Sequence, residues 1–260
     1  MIRPFLHYFD IADGVVAFST TRKGGVSEGN YAAFNINHYC GDSEAAIAVN
    51  RQALCRELGI AEERLVYPHQ THQTRVCQIA DDFFACSSAD RARRLEGVDA
   101  VMTDLRGVCV GVSTADCIPI IIYDPNHHAV AAIHAGWRGT VGRIAEKTIL
   151  RMCEAYGSVP QQLSAVIGPG ISLKNFEVGD EVYDAFSSAG FPMEKIAKKL
   201  QKWHLDLPFC NQLQLQSAGI LATSIQSCDI CTYDRVDEYF SARRLGINSG
   251  RILTGIMLRP

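Results

Sequence analysis

The chain has 260 residues, 47% of them hydrophobic, which is enough to bury a full core and falls within the range of one large domain. Its formal net charge of -3, with Lys and Arg scattered rather than clustered, offers no broad attraction to phosphate backbones or anionic lipid, so nucleic acid and membrane surfaces drop out as expected partners. The longest apolar stretches, such as 108–112 and 118–123, are strand length and far too short to span a bilayer.

In chain order, the first ten residues have neither the apolar core of a signal peptide nor the bias of a transit peptide, and Pro4 and His7 interrupt any apolar run. A cytoplasmic protein is therefore expected. The 10 cysteines then belong in a reducing compartment, as core residues, metal ligands or nucleophiles rather than a disulfide framework. Residues 15–20 read as a strand, followed by a Gly-rich turn at 22–27. Asp42 or Ser43 can cap a helix running to Leu58, stopped by Gly59. Residues 74–79 read as a strand and 89–96 as a charged helix or loop.

Three apolar runs follow, at 108–112, 118–123 and 129–133, and look like the centre of one buried sheet. The turn Asp124-Pro125-Asn126 makes the last two an antiparallel pair. Residues 140–156 carry the clearest helical period, with Val141, Ile144, Ala145, Thr148, Ile149, Met152 and Tyr156 on one face. A strand at 164–167, a helix at 179–189, a strand at 203–207, a helix at 211–223 and a terminal strand at 251–258 complete the pattern. No repeat or linker divides the chain, so residues 1–260 are expected to form a single domain. Strands and helices do not alternate regularly, which favours α+β with mixed sheets over a doubly wound parallel fold.

Three soft-metal ligand types fall at strand ends: His72 in a polar loop, Cys117 in a break between apolar runs, and His134 at the end of the third run. One Cys and two His suit zinc, and three protein ligands leave a fourth position open, the count of a catalytic site. On residue types and spacing alone, a surface histidine, a core thiol and a hydrogen-bonded strand-end histidine are the better account of them. Cys228-Asp229-Ile230-Cys231 is a lone CxxC and reads as structural. His127-His128 lies in a turn and is expected to be exposed.

The stretches Ser19-Thr20-Thr21-Arg22-Lys23-Gly24-Gly25-Val26-Ser27, Thr114-Ala115-Asp116-Cys117-Ile118-Pro119 and Ala132-Ile133-His134-Ala135-Gly136-Trp137-Arg138-Gly139-Thr140 resemble the multicopper polyphenol oxidase, or laccase-domain, family. So do Val166-Ile167-Gly168-Pro169-Gly170-Ile171 and Phe240-Ser241-Ala242-Arg243-Arg244. Members of this family are generally described as purine nucleoside phosphorylases, and one branch is named peptidoglycan editing factor. The resemblance implies a zinc site at His72, Cys117 and His134, with copper the alternative metal, in layered mixed β-sheets flanked by helices (α/β/β/α). It implies purine nucleosides and phosphate as small-molecule partners. Two departures are Gln73, where the family often has Gly, and Gly170, where Cys or Ala often follows Gly-Pro.

Around these ligands, Arg51 resembles a family arginine near the metal, and its fork could hold phosphate or serve as a solvated helix arginine. Arg138 precedes a helix N-terminus and could bind an anion or pair with a carboxylate. Gln70 and His69 are candidates for the pocket wall. Asp116 could orient a ligand histidine or cap a turn. The activity implied is phosphorolysis of adenosine and inosine, with adenosine deamination and methylthioadenosine phosphorolysis also credited to the family. The competing enzyme class is a cysteine hydrolase, with Cys117 as nucleophile and His134 or His72 as base, which would include peptidoglycan-precursor editing. Copper-dependent phenol oxidation ranks last, because 8 scattered histidines do not supply a multicopper ligand set. A zinc-stabilised binding module is disfavoured by the open three-ligand count.

Overall fold

The computed structural model describes residues 2–260 and shows two mixed β-sheets packed face to face between layers of helix. The first sheet has the order β1 (Leu6–Phe9), β2 (Val15–Thr20), β14 (Ile252–Leu258), β6 (Cys109–Thr114), β3 (Leu65–Val66). The second runs β13 (Ile225–Ser227), β9 (Ser164–Ile167), β7 (Ile118–Asp124), β8 (Ala129–Ala135), β5 (Ala100–Thr103), β4 (Val76–Gln78). A small third sheet is ordered β10 (Glu177–Val178), β12 (Trp203–Leu205), β11 (Ala197–Lys199).

Alternation along the strands builds the layers, because successive side chains point to opposite faces. From β7, Ile121 and Tyr123 meet Val110, Val112 and Ile256 of the first sheet. Ile120 and Ile122 point the other way, into the core shared with α5 (Ile144–Tyr156) and α8 (Leu207–Ser217). The outer face of the first sheet carries Val16, Phe18, Leu253 and Met257, covered by Ala53, Leu54 and Cys55 of α1 (Glu44–Leu58). Shorter helices fill the periphery: α2 (Asp81–Ala85), α3 (Ser88–Leu95), α4 (Trp137–Val141), α6 (Asp180–Ser188), α7 (Met193–Ile196) and α9 (Ala242–Leu245). Among the described residues no helix is long and apolar enough to cross a membrane.

Helix α1 has the expected boundaries: Ser43 accepts from the Ala46 N–H, and Gly59 ends it at φ 68°. Three expectations need correction. The three apolar runs do not share a sheet, since β6 belongs to the first while β7 and β8 pair in the second. All three are buried on both faces, so nothing in their pattern names a partner. The chain crosses between sheets at Asp116, whose φ of 86° turns it sharply just before Cys117.

The single helix over 140–156 is also two helices, α4 and α5, broken at Gly142 and Arg143, the latter at φ 63°. A Cβ at Gly142 would lie 2.6 Å from Thr74 Cγ2, so a side chain there would push the loop following His72 away. The break leaves the Thr140 carbonyl to accept from Gln214 Nε2 of α8 at 2.6 Å. Helix α8 starts earlier than the spacing predicts, because Asp206 caps it by accepting from the Phe209 N–H at 3.0 Å.

Candidate functional site

The sheet crossing delivers Cys117 to the start of β7, directly beside the end of β8. Pairing of Pro119 with His134 and of Ile118 with Ala135 fixes that register. His72 comes from the loop before β4, at φ 62°. One donor atom from each of these three residues lies within 4.8 Å of the others. Cys117 Sγ stands 3.8 Å from His72 Nε2, and the two imidazole rings meet edge to face at 4.8 Å.

The group that organises the cluster is Asp99, which is fully buried at the end of a turn leading into β5. Its carboxylate accepts from His134 Nδ1 at 2.7 Å and from the main-chain N–H groups of Thr71, His72 and Gln73 at 3.4, 3.0 and 2.7 Å. Taking the Nδ1 proton leaves His134 Nε2 for a metal, and clamping three successive N–H groups sets the backbone of His72. Asp116, for which the sequence left open a ligand-orienting or a turn-capping role, accepts from Thr232 Oγ1 and from the Arg243 N–H, both at 2.7 Å. Asp99 is a lone acid between Val98 and Ala100, and burial of such a residue is the signal that sequence inspection passed over.

Charges follow from this geometry in the metal-free cluster. Burial alone would push the Cys117 thiol up, but the charge and hydrogen bond of His134, then those of His72, bring it down to about 6. Burial likewise disfavours the His134 imidazolium, and is outweighed by the Cys117 thiolate and then Asp99, which raise it to about 9. Burial also works against the Asp99 charge, yet its hydrogen bond from His134 and the donors of the loop hold its carboxyl below the usual value.

The donor set fits a zinc-like ion: one thiolate, two imidazoles and a carboxylate behind one of them. Bonds of about 2.0–2.3 Å put two ligands on one zinc roughly 3.5 Å apart, close to the spacing between Cys117 and His72. Gly136 completes the fit. A Cβ there would fall 2.9 Å from Cys117 Sγ, 3.0 Å from His72 Cδ2 and 3.8 Å from His134 Cε1. Its φ of -69° suits any residue, so glycine is required for space alone. Gly136→Ala is therefore expected to weaken metal binding about 10- to 100-fold, the scale of a disturbed ligand shell, with an unchanged circular dichroism spectrum. Competition with a chromogenic chelator measures it, and an unchanged affinity would refute the crowding argument.

The cluster opens into a cavity of about 490 Å³, a size suited to a small molecule. Gln70 lines it, but its amide is engaged with Ser113, donating to the carbonyl at 2.7 Å and accepting from the N–H at 2.8 Å. His69 also lines it, stacked on Tyr39 at 4.0 Å and bonded to Glu96 at 2.9 Å. Arg51 lies outside this cavity, with its guanidinium donating to the Glu62 and Leu65 carbonyls at 2.8 and 3.0 Å and lying over the Tyr67 ring. Arg138 is exposed, packs over Trp137 at 4.2 Å, and is likewise not part of the cavity wall. His127 and His128 are exposed in their turn as expected, and His127 is bonded to Asp124. Cys231 accepts from Ser172 Oγ and Asn175 Nδ2 at 3.2 Å each and is not a member of the metal-ligand cluster. Of the two departures, Gln73 gives its N–H to Asp99, while at Gly170 a Cβ would fall 2.3 Å from Ile118 Cδ1, so a larger residue requires Ile118 to move.

Residues 16–259 match the family described as multi-copper polyphenol oxidoreductase laccase. The chain belongs to this family. Among its relatives, a purine nucleoside phosphorylase of Bacteroides thetaiotaomicron is 48% identical over 93% of this chain and 90% of its own length. Adenosine deaminase RL5, from an unknown prokaryotic organism, is 42% identical over 96% of this chain and 97% of its own. The crystal structure of YlmD from Geobacillus stearothermophilus superimposes with a TM-score of 0.89 at 31% identity, covering 95% of this chain and 93% of that one. The hypothetical protein YfiH of Bacillus licheniformis gives 0.92 at 29%, covering 98% and 97%. Despite the laccase family's description, the described residues of this member hold one cluster of three or more His, Cys or acidic ligands, which suits one ion rather than several.

Proposed function

We propose that this laccase-family chain is a zinc-dependent purine nucleoside phosphorylase acting on adenosine and inosine. The observation that carries the reading is its 48% identity to a protein of that name over 93% of the chain. In phosphorolysis a phosphate oxygen bonds to the anomeric carbon of the ribose while the carbon–nitrogen bond to the purine breaks. The bonding pair leaves on the base, which takes up a proton from solvent.

His72, Cys117 and His134 would hold the zinc, which when bound supplies a Lewis acid for the negative charge that develops on the reacting groups. The stacked Tyr39 and His69 rings offer an aromatic platform for a purine, with the His69 ring fixed by Glu96. Phe176 and Ile171 contribute apolar wall. Ten free cysteines favour a reducing compartment, and the cytoplasm is the proposed location.

Adenosine deamination is the second reading, favoured by 42% identity to the protein named adenosine deaminase RL5. Methylthioadenosine is a candidate further substrate of the phosphorylase. A cysteine hydrolase acting on peptidoglycan precursors is favoured by the Cys117 thiol, which His134 lowers to about 6. Copper-dependent phenol oxidation is the least supported.

One experiment separates these readings: inosine and adenosine are supplied with and without inorganic phosphate, and the products are resolved. Phosphorolysis requires base release to depend on phosphate and to yield ribose 1-phosphate in equal amount. Ammonia from adenosine without phosphate would establish deamination alongside it or in its place. Inert nucleosides, together with alkylation of Cys117 in metal-free protein at a rate that rises through about pH 6, would transfer the assignment to the hydrolase.

A further inference from the structure

Phosphorolysis needs an anion site beside the metal cluster, and neither Arg51 nor Arg138 reaches the cavity. Two other arginines line it, Arg243 and Arg251. We propose that Arg243 and Arg251 form the oxyanion subsite of this cavity and that its ligand is inorganic phosphate; the choice of phosphate rests on the phosphorylase reading.

Both arginines are tied to the segment that carries Cys117. The Arg243 N–H donates to Asp116, the residue preceding the thiol, at 2.7 Å. Arg251 directly precedes β14, whose first residue, Ile252, pairs with Thr114 of β6. Each guanidinium is aimed by main-chain oxygens. Arg243 Nη1 donates to the Glu177 carbonyl at 2.9 Å. Arg251 donates from Nη1 to the carbonyls of Ser249 and Gly250 at 2.6 and 3.0 Å, and from Nη2 to that of Ile247 at 3.0 Å.

Carbonyls orient an arginine without neutralising it. Among the described residues no carboxylate lies in ion-pair range of either guanidinium, and the Glu177 carboxylate is given to Lys202 at 3.0 Å. Arg51 differs, since the Glu62 carboxylate lies 3.7 Å from it. Two cations left unpaired in one concave wall attract an anion, and planar guanidinium groups match the paired oxygens of phosphate. The same wall includes Ser113 and Thr114, whose hydroxyl oxygens are buried with no hydrogen-bond partner among protein groups.

The test is calorimetric titration of inorganic phosphate into the metal-loaded full chain, with Arg243→Gln and Arg251→Gln beside the wild type and metal content checked in each. Loss of one charge-assisted contact is expected to weaken phosphate binding about tenfold per arginine, with the inosine KM within about twofold of wild type. Lysine at either position is expected to recover part of the affinity. Phosphate affinity unchanged in both variants, or phosphate and inosine KM rising together, overturns the subsite. Arg243 is exposed and bonded to only one carbonyl through its side chain, so its variants decide the matter even if Arg251→Gln does not fold. Phosphate binding that depends on the arginines in a protein inert toward inosine would keep the subsite and remove the phosphorylase reading. Phosphate-dependent turnover with unaltered phosphate affinity in the variants would do the reverse.

Discussion

Alanine at His72, Cys117 or His134 is expected to reduce bound metal to less than about a tenth of the wild-type content, because removal of one of three protein ligands leaves two and costs well over tenfold in affinity. Elemental analysis after dialysis against a weak chelator measures it. The sheets should survive, since His72 lies in a loop, Cys117 and His134 sit where strands begin or end, and each strand keeps its ladder. The three variants should nevertheless differ in stability. His72 is exposed, and no buried carboxylate depends on its side chain. His134 is buried against Asp99, so His134→Ala strands a carboxylate in the core and should cost about 3–5 kcal/mol, as removing one partner of a buried ion pair does. Full metal content in all three variants would sink the ligand assignment, and equal stability of His72→Ala and His134→Ala would remove the buried-pair argument.

The second large effect is expected at Asp99. Four donors converge on its two oxygens, so Asp99→Asn must turn an N–H₂ toward at least one of them and removes the charge that matches the His134 imidazolium. Metal affinity should fall about 10- to 100-fold through misorientation of two ligands, and the metal-free protein should lose about 3–5 kcal/mol. The pH dependence gives an independent reading. The folded Asp99 carboxyl titrates below its ordinary value, so it stabilises the protein above the unfolded value of about 3.9 and that stability is lost as pH falls through the folded one. Chemical denaturation of wild type and Asp99→Asn should therefore differ by a constant amount from neutral pH down to about 4, then converge. A difference that disappears well above pH 5 would assign the effect to another group.

How much of this was legible from residue order depends on what kind of signal each feature leaves. Strands β2 and β9 and helix α1 have the predicted boundaries because apolar periodicity is bracketed by local punctuation such as Ser43 and Gly59. The separation of β6 from β7 and β8 was not legible: strands buried on both faces carry no preference for one partner sheet, and the turn at Asp116 is a matter of one backbone angle. Gly142 and Arg143 break a helix whose apolar period runs on without interruption, and the space that keeps residue 142 a glycine is set 68 residues earlier, at Thr74. The cluster of His72, Cys117 and His134 was named from motif resemblance, not from spacing, and the geometry places the three together. Asp99, Arg243 and Arg251 escaped notice because their roles come from distant segments folding onto one another. Arg51 is a different case: it resembles a family arginine, and its guanidinium is bonded to the carbonyls of Glu62 and Leu65 beside its own helix.

The position of β14 has a consequence for how the protein is made. Its strand lies between β2 and β6, so the hairpin of β1 and β2 joins the rest of the first sheet only through it. On the ribosome the proposed ligands His72, Cys117 and His134 have all emerged by residue 134, whereas β14 follows only from residue 252. A nascent chain can thus assemble its metal-binding corner on β5, β7 and β8 while the facing edges of β2 and β6 still wait for a partner. Until β14 slots in, those two edges are open to strands from neighbouring nascent chains, and this interval is when the protein is most exposed to misassembly and most dependent on chaperones.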